Sequence, residues 1–261
     1  MNEKLKDAYG LYIDGQWRAA SDGCVFTSTN PANSEVLAKC AEATKDDVDA
    51  AVAAAWRAYP SWKNTTKEER AHILDQIADR IEENAQWLAT VETMDNGKPI
   101  RETTTIDVPY SVRHFHYYAS LIRTDEGTTS ILDGNMMSLV LREPLGVVGQ
   151  IVPWNFPFLM AAWKLAPALA AGDCVVFKPS SSTSLSMLVF TELIADLLPA
   201  GVLNLVTGAG GKSGQYLLEH PDLSKLALNK IAARWPAKAM AQFFLSLNKK
   251  TVEIFSVIRY C

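Results

Sequence analysis

Apolar runs alternate three times with segments of helical spacing between residues 146 and 220, and this alternation constrains the fold more than any other feature. The runs are GVVGQIV (146–152), CVVFKP (174–179) and VLNLV (202–206), and the helical segments lie at 156–171, near 184–198 and near 212–220. Strands that stay apolar along their length are typical of parallel sheets covered on both faces. The sequence therefore predicts an α/β fold in which a parallel sheet carries helices on both faces.

Helical patterns also precede this region and predict an N-terminal helical segment. They place apolar residues on one face over 44–59, over 66–91 and over 108–122. The first two begin with the spacing of a capping box, at Thr44 with Asp47 and at Thr66 with Glu69. The second pattern runs on towards DNGKP (95–99), where glycine and proline predict the helix end.

Two hairpins are predicted from Asp-Gly turns between apolar residues. One lies in LYIDGQW at 11–17, and the other occupies 125–143 around the turn at 133–135. We expect the second to be an exposed hairpin.

Charge divides the chain near residue 228. Residues 228–261 carry six lysines or arginines and one acidic residue, a net charge of +5, whereas residues 1–227 carry a net charge of −9. Such a shift usually marks a separate segment. We therefore expect 228–261 to be a basic tail distinct from the rest of the chain.

Composition excludes several classes of function. The net charge of −4 predicts no nucleic-acid partner, and the charged start MNEKLKDAYG is unlike a signal peptide. The longest apolar stretch, at 156–171, is interrupted by Lys164 and Pro167, which argues against a membrane span. Four scattered cysteines fit a reduced compartment, so we expect a cytoplasmic protein. The four histidines show no ligand spacing, and no metal site is expected.

Ligands of open parallel sheets bind at the carboxyl ends of the strands. Three loops are predicted there: PWNFP (153–157), KPSSSTS (178–184) and TGAGGKSG (207–214). The third contains GKS, but a P-loop needs glycine five positions before the glycine of GKS, and position 206 is valine. The fingerprint G-x-G-x-x-G fails as well, because Ser213 stands where the third glycine is due. An ordinary strand-to-helix turn remains the alternative for this loop.

Two residues in these loops have the chemistry of a site, each with a structural alternative. Lys178 leaves an apolar strand, where it either extends its ammonium to the surface or donates to a nucleotide ribose. The serines that follow offer hydroxyls for a ligand or for a helix N-cap. Asn155 lies between Pro153 and Pro157, so its amide is either a fixed donor for an oxyanion or a turn former bonded to its own backbone.

The combination of these motifs resembles the NAD(P)-dependent aldehyde dehydrogenase superfamily. The resemblance covers about 11–227 and rests on YIDGQW, DNGKP, the run from GVVGQIVPWNFP to GDCVVFKPSSSTS, and LPAGVLNLVTGAG. It implies a Rossmann-like sheet, an NAD(P)-binding domain over 1–124 and 144–227, and an oligomerisation arm at 125–143. It also implies an aldehyde substrate, NAD or NADP as cofactor, and a homo-oligomer, dimeric or tetrameric.

The resemblance also implies roles for individual residues. Asn155 would stabilise the oxyanion formed from the aldehyde, and Lys178 would bind the adenosine ribose. Many NAD-preferring members have Glu where this chain has Ser181, so we expect NADP to be tolerated. The remaining implied cofactor contacts are Ile151, Val152, Pro153, Trp154, Gly208, Gly210 and Gly214.

Beyond residue 227 the family pattern is lost. The family continues with F-T-G-S, with E-L-G-G-K carrying the general-base Glu, and later with the catalytic Cys, and none of these motifs occurs in this sequence. We therefore expect a truncated aldehyde dehydrogenase, incomplete relative to the family fold and inactive alone, whose reading frame changes near Leu228. The alternative hypothesis is a non-catalytic nucleotide-binding or assembly subunit that pairs with intact chains.

Overall fold

The computed structural model describes residues 4–132, 134–230 and 251–256, with only the backbone described at 229, 230 and 251–256. Most of the predicted tail, 231–250 and 257–261, lies outside the described residues. The strands are β1 Ala8–Tyr9, β2 Leu11–Ile13, β3 Gln16–Arg18, β4 Val25–Thr29, β5 Val36–Ala41, β6 Thr128–Leu132, β7 Met136–Val140, β8 Val147–Ile151, β9 Cys174–Lys178, β10 Leu203–Leu205, β11 Lys225–Lys230 and β12 Thr251–Ser256. The helices are α1 Lys45–Trp62, α2 Lys67–Glu83, α3 Ala85–Asn96, α4 Ile100–Glu102, α5 Val108–Arg123, α6 Pro157–Ala171, α7 Leu185–Ile194 and α8 Gln215–Glu219, with π-helical turns at Thr103–Asp107 and Gly210–Gly214.

Among the residues that the structure describes, the main sheet has seven strands, in the order β12-β11-β8-β9-β10-β2-β3. Neighbouring strands from β12 to β10 are parallel, and β2 and β3 are antiparallel additions at the other edge. All five residues of β9 are buried, and because successive side chains point to opposite faces, both faces of this strand are covered. Helix α1 packs against β8, β9 and β10, and α6 packs against β9. The predicted α/β fold with a covered parallel sheet is confirmed.

Part of the segment predicted to be a separate tail pairs into this sheet. Strand β11 begins before residue 228 and continues to Lys230, pairing with β8 on one side and β12 on the other. The boundary placed at 227 from composition therefore falls inside a strand.

Both predicted capping boxes are present. Thr44 accepts from the Asp47 backbone while Asp47 reaches back to the Thr44 N–H, and Thr66 and Glu69 do the same at the start of α2. The pattern over 66–91, however, is two helices. The chain breaks at Asn84, whose side-chain amide donates to the Arg80 carbonyl at 2.8 Å, and α3 then runs to Asn96 with Gly97 in the left-handed region.

The predicted arm at 125–143 is a two-stranded antiparallel sheet of β6 and β7, in the register Thr128 to Val140. Its apolar side chains are exposed, including Ile131 at 75% and Met137 at 70%. Residue 133 of its turn lies outside the described residues. Within the described ranges no helix has the length and apolar character that crossing a membrane requires.

Candidate functional site

The three loops predicted at the carboxyl ends of the parallel strands meet around one cleft of about 600 Å³. The strand register brings them together, because Ile151 at the end of β8 lies beside Lys178 at the end of β9, and Phe177 lies beside Leu205 of β10. Each loop contributes to the wall: Trp154 from the first, residues 181–183 from the second and Ala209 from the third. The cleft is also lined by residues of β4 and of the end of α3.

Lys178 is buried at the end of β9 and does not reach the surface, which excludes the surface-lysine alternative. The residue is 2% exposed, and its Nζ donates to the Pro179 carbonyl at 2.6 Å. Burial lowers the pKa of this ammonium to about 8. An ammonium has three donors, so a buried lysine bonded to one carbonyl is suited to donate to further acceptors.

The second loop caps α7 differently from the sequence expectation. The Ser184 hydroxyl donates to the Ser180 carbonyl at 2.8 Å and does not cap the helix. The cap is instead the carboxylate of Asp95, which accepts from the Leu185 backbone N–H at 2.8 Å and from the Ser28 hydroxyl at 2.5 Å. Burial raises the pKa of Asp95 to about 6, although these two hydrogen bonds lower it. Ser181 is half-buried on the cleft wall and its hydroxyl takes no part in the cap.

The third loop is a glycine turn and not a phosphate cradle centred on lysine. Lys212, the lysine of GKS, forms an exposed ion pair with Glu42 at 2.7 Å. Gly208 has a φ of +131°, a region that L-residues rarely adopt. A Cβ on Gly210 would meet no atom within 4 Å, whereas one on Gly214 would lie 3.4 Å from Cε of Lys178. Gly214 therefore lies beside the lysine side chain, at a distance that is ordinary van der Waals contact.

The first loop places Asn155 between anchored neighbours. The Val152 N–H donates to the Lys178 carbonyl at 3.2 Å, Pro153 is buried, and Trp154 is exposed at the cleft. Asn155 is half-buried, and its Oδ1 is buried without a hydrogen-bond donor among the described residues. The alternative of an asparagine turn closed on its own backbone through Oδ1 is therefore not what the structure contains.

Sequence reasoning missed the end of α3 as part of this site. The motif DNGKP predicted only a helix end, yet Asn96 donates from Nδ2 to the Trp154 carbonyl, and Lys98 holds its Nζ 3.7 Å from the ring centroid of Phe156. The signal was present in the sequence, since an asparagine and a lysine flank the glycine that ends the helix. Their partners lie 58 residues further along the chain, so local patterns could not pair them.

The described thiols do not supply a nucleophile to the cleft. Burial raises the pKa of Cys40 and of Cys174 to about 12, and thiols of this kind are inert. Cys24 is exposed, and a hydrogen bond with Asp22 raises its pKa. Cys261 lies outside the described residues. Among the residues that the structure describes, no group of three His, Cys, Asp or Glu side chains could hold a metal ion.

Comparison with known proteins gives consistent matches. The model of the aldehyde dehydrogenase family matches residues 17–229. Aldehyde dehydrogenase B of Escherichia coli strain K12 is 50% identical over 224 residues, which cover 86% of this chain and 44% of that protein. An aldehyde dehydrogenase of Rhodospirillum rubrum is 45% identical over 257 residues, covering 96% of this chain and 51% of that protein.

Solved structures agree with the sequence matches. The NAD+ complex of an aldehyde dehydrogenase from Bacillus cereus superposes with a TM-score of 0.90 at 35% identity, over 97% of this chain and 51% of that one. This chain therefore spans about half the length of the relatives that it matches. With a family match that covers most of its residues and a superposable fold, the chain belongs to the aldehyde dehydrogenase family.

Proposed function

We propose that this chain forms the NAD(P)-binding half of an aldehyde dehydrogenase and binds the cofactor without turning over an aldehyde alone. One observation carries the proposal: the three loops at the carboxyl ends of β8, β9 and β10 each contribute a wall residue to one cleft, and β9 ends at the buried Lys178. Structures of similar chains from Bacillus cereus and Pseudomonas sp. WBC-3 were solved with NAD+ and nicotinamide adenine dinucleotide, respectively.

The residues present fit a dinucleotide. Lys178 has donors left after its bond to the Pro179 carbonyl, and these would bind the ribose hydroxyls of the adenosine. Gly210 leaves open space at the turn, and Gly208 has a φ that L-residues rarely adopt and no room for a Cβ. Residues 151–154 continue from β8 and would line the nicotinamide end. When bound, the cofactor accepts a hydride at its nicotinamide ring.

Asn155 would donate from Nδ2 to the oxyanion that forms as a nucleophile attacks the aldehyde carbonyl. A donor stabilises such a charge best when it is already in place. Oxidation through a thioester also needs a thiolate and a general base. Neither family motif occurs in this sequence, and the pKa of each described thiol is raised, which disfavours the thiolate. We therefore propose cofactor binding as the activity of the isolated chain.

Ser181 supports binding of both NAD and NADP. A carboxylate near the ribose would repel a 2′-phosphate, and the hydroxyl of Ser181 carries no charge. Ser181 is half-buried and lines the cleft. We expect the affinities for NAD+ and NADP+ to differ by no more than about tenfold, which corresponds to about 1.4 kcal/mol of binding free energy.

Isothermal titration calorimetry with NAD+ tests the proposal directly. We expect saturable binding by the wild-type chain, and we expect Lys178→Met to weaken it by about 10- to 100-fold, since hydrogen bonds to charged groups contribute about 1.5–3 kcal/mol. Lys39→Met, at an exposed position on β5, is the matched control and should bind as the wild type does. A folded wild-type chain that binds no NAD+, or a Lys178→Met chain of unchanged affinity, would contradict the proposal.

A second candidate function is assembly with other chains, and the exposed apolar face of the hairpin β6–β7 favours it. Ile131, Met137 and Leu139 are 75%, 70% and 61% exposed, which is unusual for apolar side chains without a partner surface. We propose that this arm pairs copies into a dimer or tetramer, or joins an intact relative. Sedimentation of wild type and Met137→Lys, each alone and mixed with an intact relative, tests it: oligomers that Met137→Lys disrupts support assembly, and a wild type that stays monomeric in both experiments contradicts it.

A further inference from the structure

Three side chains at the end of α3 contact the segment that contains Asn155. Asn96 donates to the carbonyl of Trp154, immediately before Asn155. Lys98 holds its ammonium over the ring of Phe156, immediately after it, at 3.7 Å from the centroid. The segment on both sides of the asparagine is thus attached to the same helix end.

The third contact lies one step further along. Oε1 of Glu92 accepts from the backbone N–H of Phe158, in the first turn of α6, at 3.4 Å. Glu92 is fully buried, so this acceptor is not shared with water. The three contacts therefore follow one another along residues 154–158, and Asn155 is the residue between the first two.

Lys98 is itself held in place. Its Nζ lies 2.5 Å from Oδ2 of Asp107, whose side chain is 1% exposed in the π-helical turn before α5. A cation over an aromatic face is attracted more strongly when it is desolvated, and the Lys98 side chain is 13% exposed. The ion pair fixes the ammonium, and the ammonium in turn restrains the ring of Phe156.

Asn155 has few restraints of its own. Its Oδ1 accepts no hydrogen bond within the described part of the chain, so its neighbours determine where its amide lies. Small displacements of a reacting or donating group can reduce a rate by about 100-fold. The position of an oxyanion donor therefore depends on what holds the loop around it.

We propose that the end of α3 positions Asn155, with Asn96 and Lys98 as positioning residues that act through Trp154 and Phe156. The inference rests on the proposed function, because it matters for catalysis only if Asn155 is the oxyanion donor. It assigns to DNGKP a task beyond ending a helix, the alignment of an amide that is distant in the sequence.

Nuclear magnetic resonance of the full chain labelled with 15N-asparagine tests the proposal without cofactor or turnover. The backbone amide and the Nδ2 group of Asn155 are assigned with Asn155→Ala. The Trp154 carbonyl and the Asn155 N–H share one peptide group, so loss of the hydrogen bond from Asn96 should shift the Asn155 amide signal directly. Asn204, buried in β10, provides the reference signal for an intact core.

Two pairs of variants separate positioning from a general structural role. Asn96→Asp removes the donor and keeps the shape. Lys98→Met removes the charge and keeps an unbranched side chain of similar length. Each should shift the Asn155 amide signal and lower its 1H–15N NOE. Lys98→Arg keeps a cation over Phe156 and beside Asp107, and should restore the wild-type signal. Asn33→Ala, in an exposed loop, is the control and should change nothing at Asn155.

Unchanged Asn155 signals in both Asn96→Asp and Lys98→Met, with the Asn204 signal intact, would overturn the proposal. If Lys98→Met loses the Asn204 signal as well, Asn96→Asp alone decides, since it exchanges one half-buried polar group for another of the same size. A wild-type chain that fails to bind NAD+ would overturn the proposed function and leave the positioning result standing.

Discussion

Glu92 makes the stability of this chain depend on pH in a direction that the structure determines. Its carboxyl is fully buried beneath the start of α6, and this burial raises its pKa from 4.5 to about 7. A folded-state pKa above the unfolded value means that the native state holds the proton more tightly. Glu92 therefore contributes stability at low pH that is lost as the pH rises from about 4.5 through 7.

The magnitude follows from the shift. A difference of about 2.5 pKa units corresponds to about 3 kcal/mol of unfolding free energy between pH 4 and pH 8. Glu92→Gln keeps an acceptor for the Phe158 N–H and removes the titration. We expect the unfolding free energy of Glu92→Gln to gain about 3 kcal/mol relative to wild type across this range, at about 1.4 kcal/mol per unit where the slope is steepest.

Urea unfolding followed by circular dichroism at pH 4, 5, 6, 7 and 8 measures this difference. Burying the amide that Glu92→Gln introduces has the same cost at every pH. Asp95, whose pKa is raised to about 6, is present in both chains. Neither effect therefore changes how the difference in unfolding free energy between Glu92→Gln and wild type varies with pH. Glu83→Gln, at an exposed position on α2, is the matched control and should give a curve parallel to wild type. A Glu92→Gln curve parallel to wild type would refute the reasoning.

Three further predictions concern the stability of the fold. Gly201→Ala should destabilise the chain more than Gly23→Ala. Both glycines have positive φ, but a Cβ at Gly201 would lie 2.7 Å from the Ala54 carbonyl oxygen, whereas one at Gly23 would meet no atom within 4 Å. Equal losses of unfolding free energy in urea would contradict this prediction. Thr66→Ala removes the capping box of α2 and should lower the unfolding free energy in urea by about 1 kcal/mol. An unchanged unfolding free energy would count against the cap. Leu74→Ala, at a fully buried position on α2, should lower the unfolding free energy by about 2–5 kcal/mol. A loss below about 1 kcal/mol would contradict this, because it would mean that the neighbouring side chains fill the cavity.

Local patterns predicted the elements whose causes are local. The capping boxes at Thr44 and Thr66 depend on residues three positions apart, and both are present. The hairpin turn at Asp14 and Gly15 depends on two residues that accept positive φ, 56° and 74°, and it too is present. The apolar β9 was predicted for the same reason, since its five buried residues are consecutive in the sequence.

Patterns failed where the partner is distant in sequence. An N-cap of α7 was one of two alternatives for the serines beside it, but the cap comes from Asp95, which lies 90 residues away. The apolar spacing over 66–91 gave no sign of the break at Asn84, because the buried Leu88 and Val91 of α3 continue the helical spacing of the buried residues of α2.

The candidate site shows the same division. The loops, with Lys178 and Asn155, could be named from the sequence because they follow recognisable strands, and the other site residues were implied by the family resemblance. Whether Lys178 is buried or extended, and what holds Asn155, depends on how β8, β9 and α3 pack. Burial of the Lys178 ammonium settles the first question, and the contacts of Asn96 and Lys98 answer the second.

A crystal structure of this chain grown with NAD+ would show whether the chain is a cofactor-binding half. We expect density for the adenosine ribose within hydrogen-bond distance of the Lys178 ammonium, with the nicotinamide end directed along residues 151–154. Crystals grown at saturating NAD+ with no density in this cleft, or with the cofactor bound elsewhere, would contradict that conclusion.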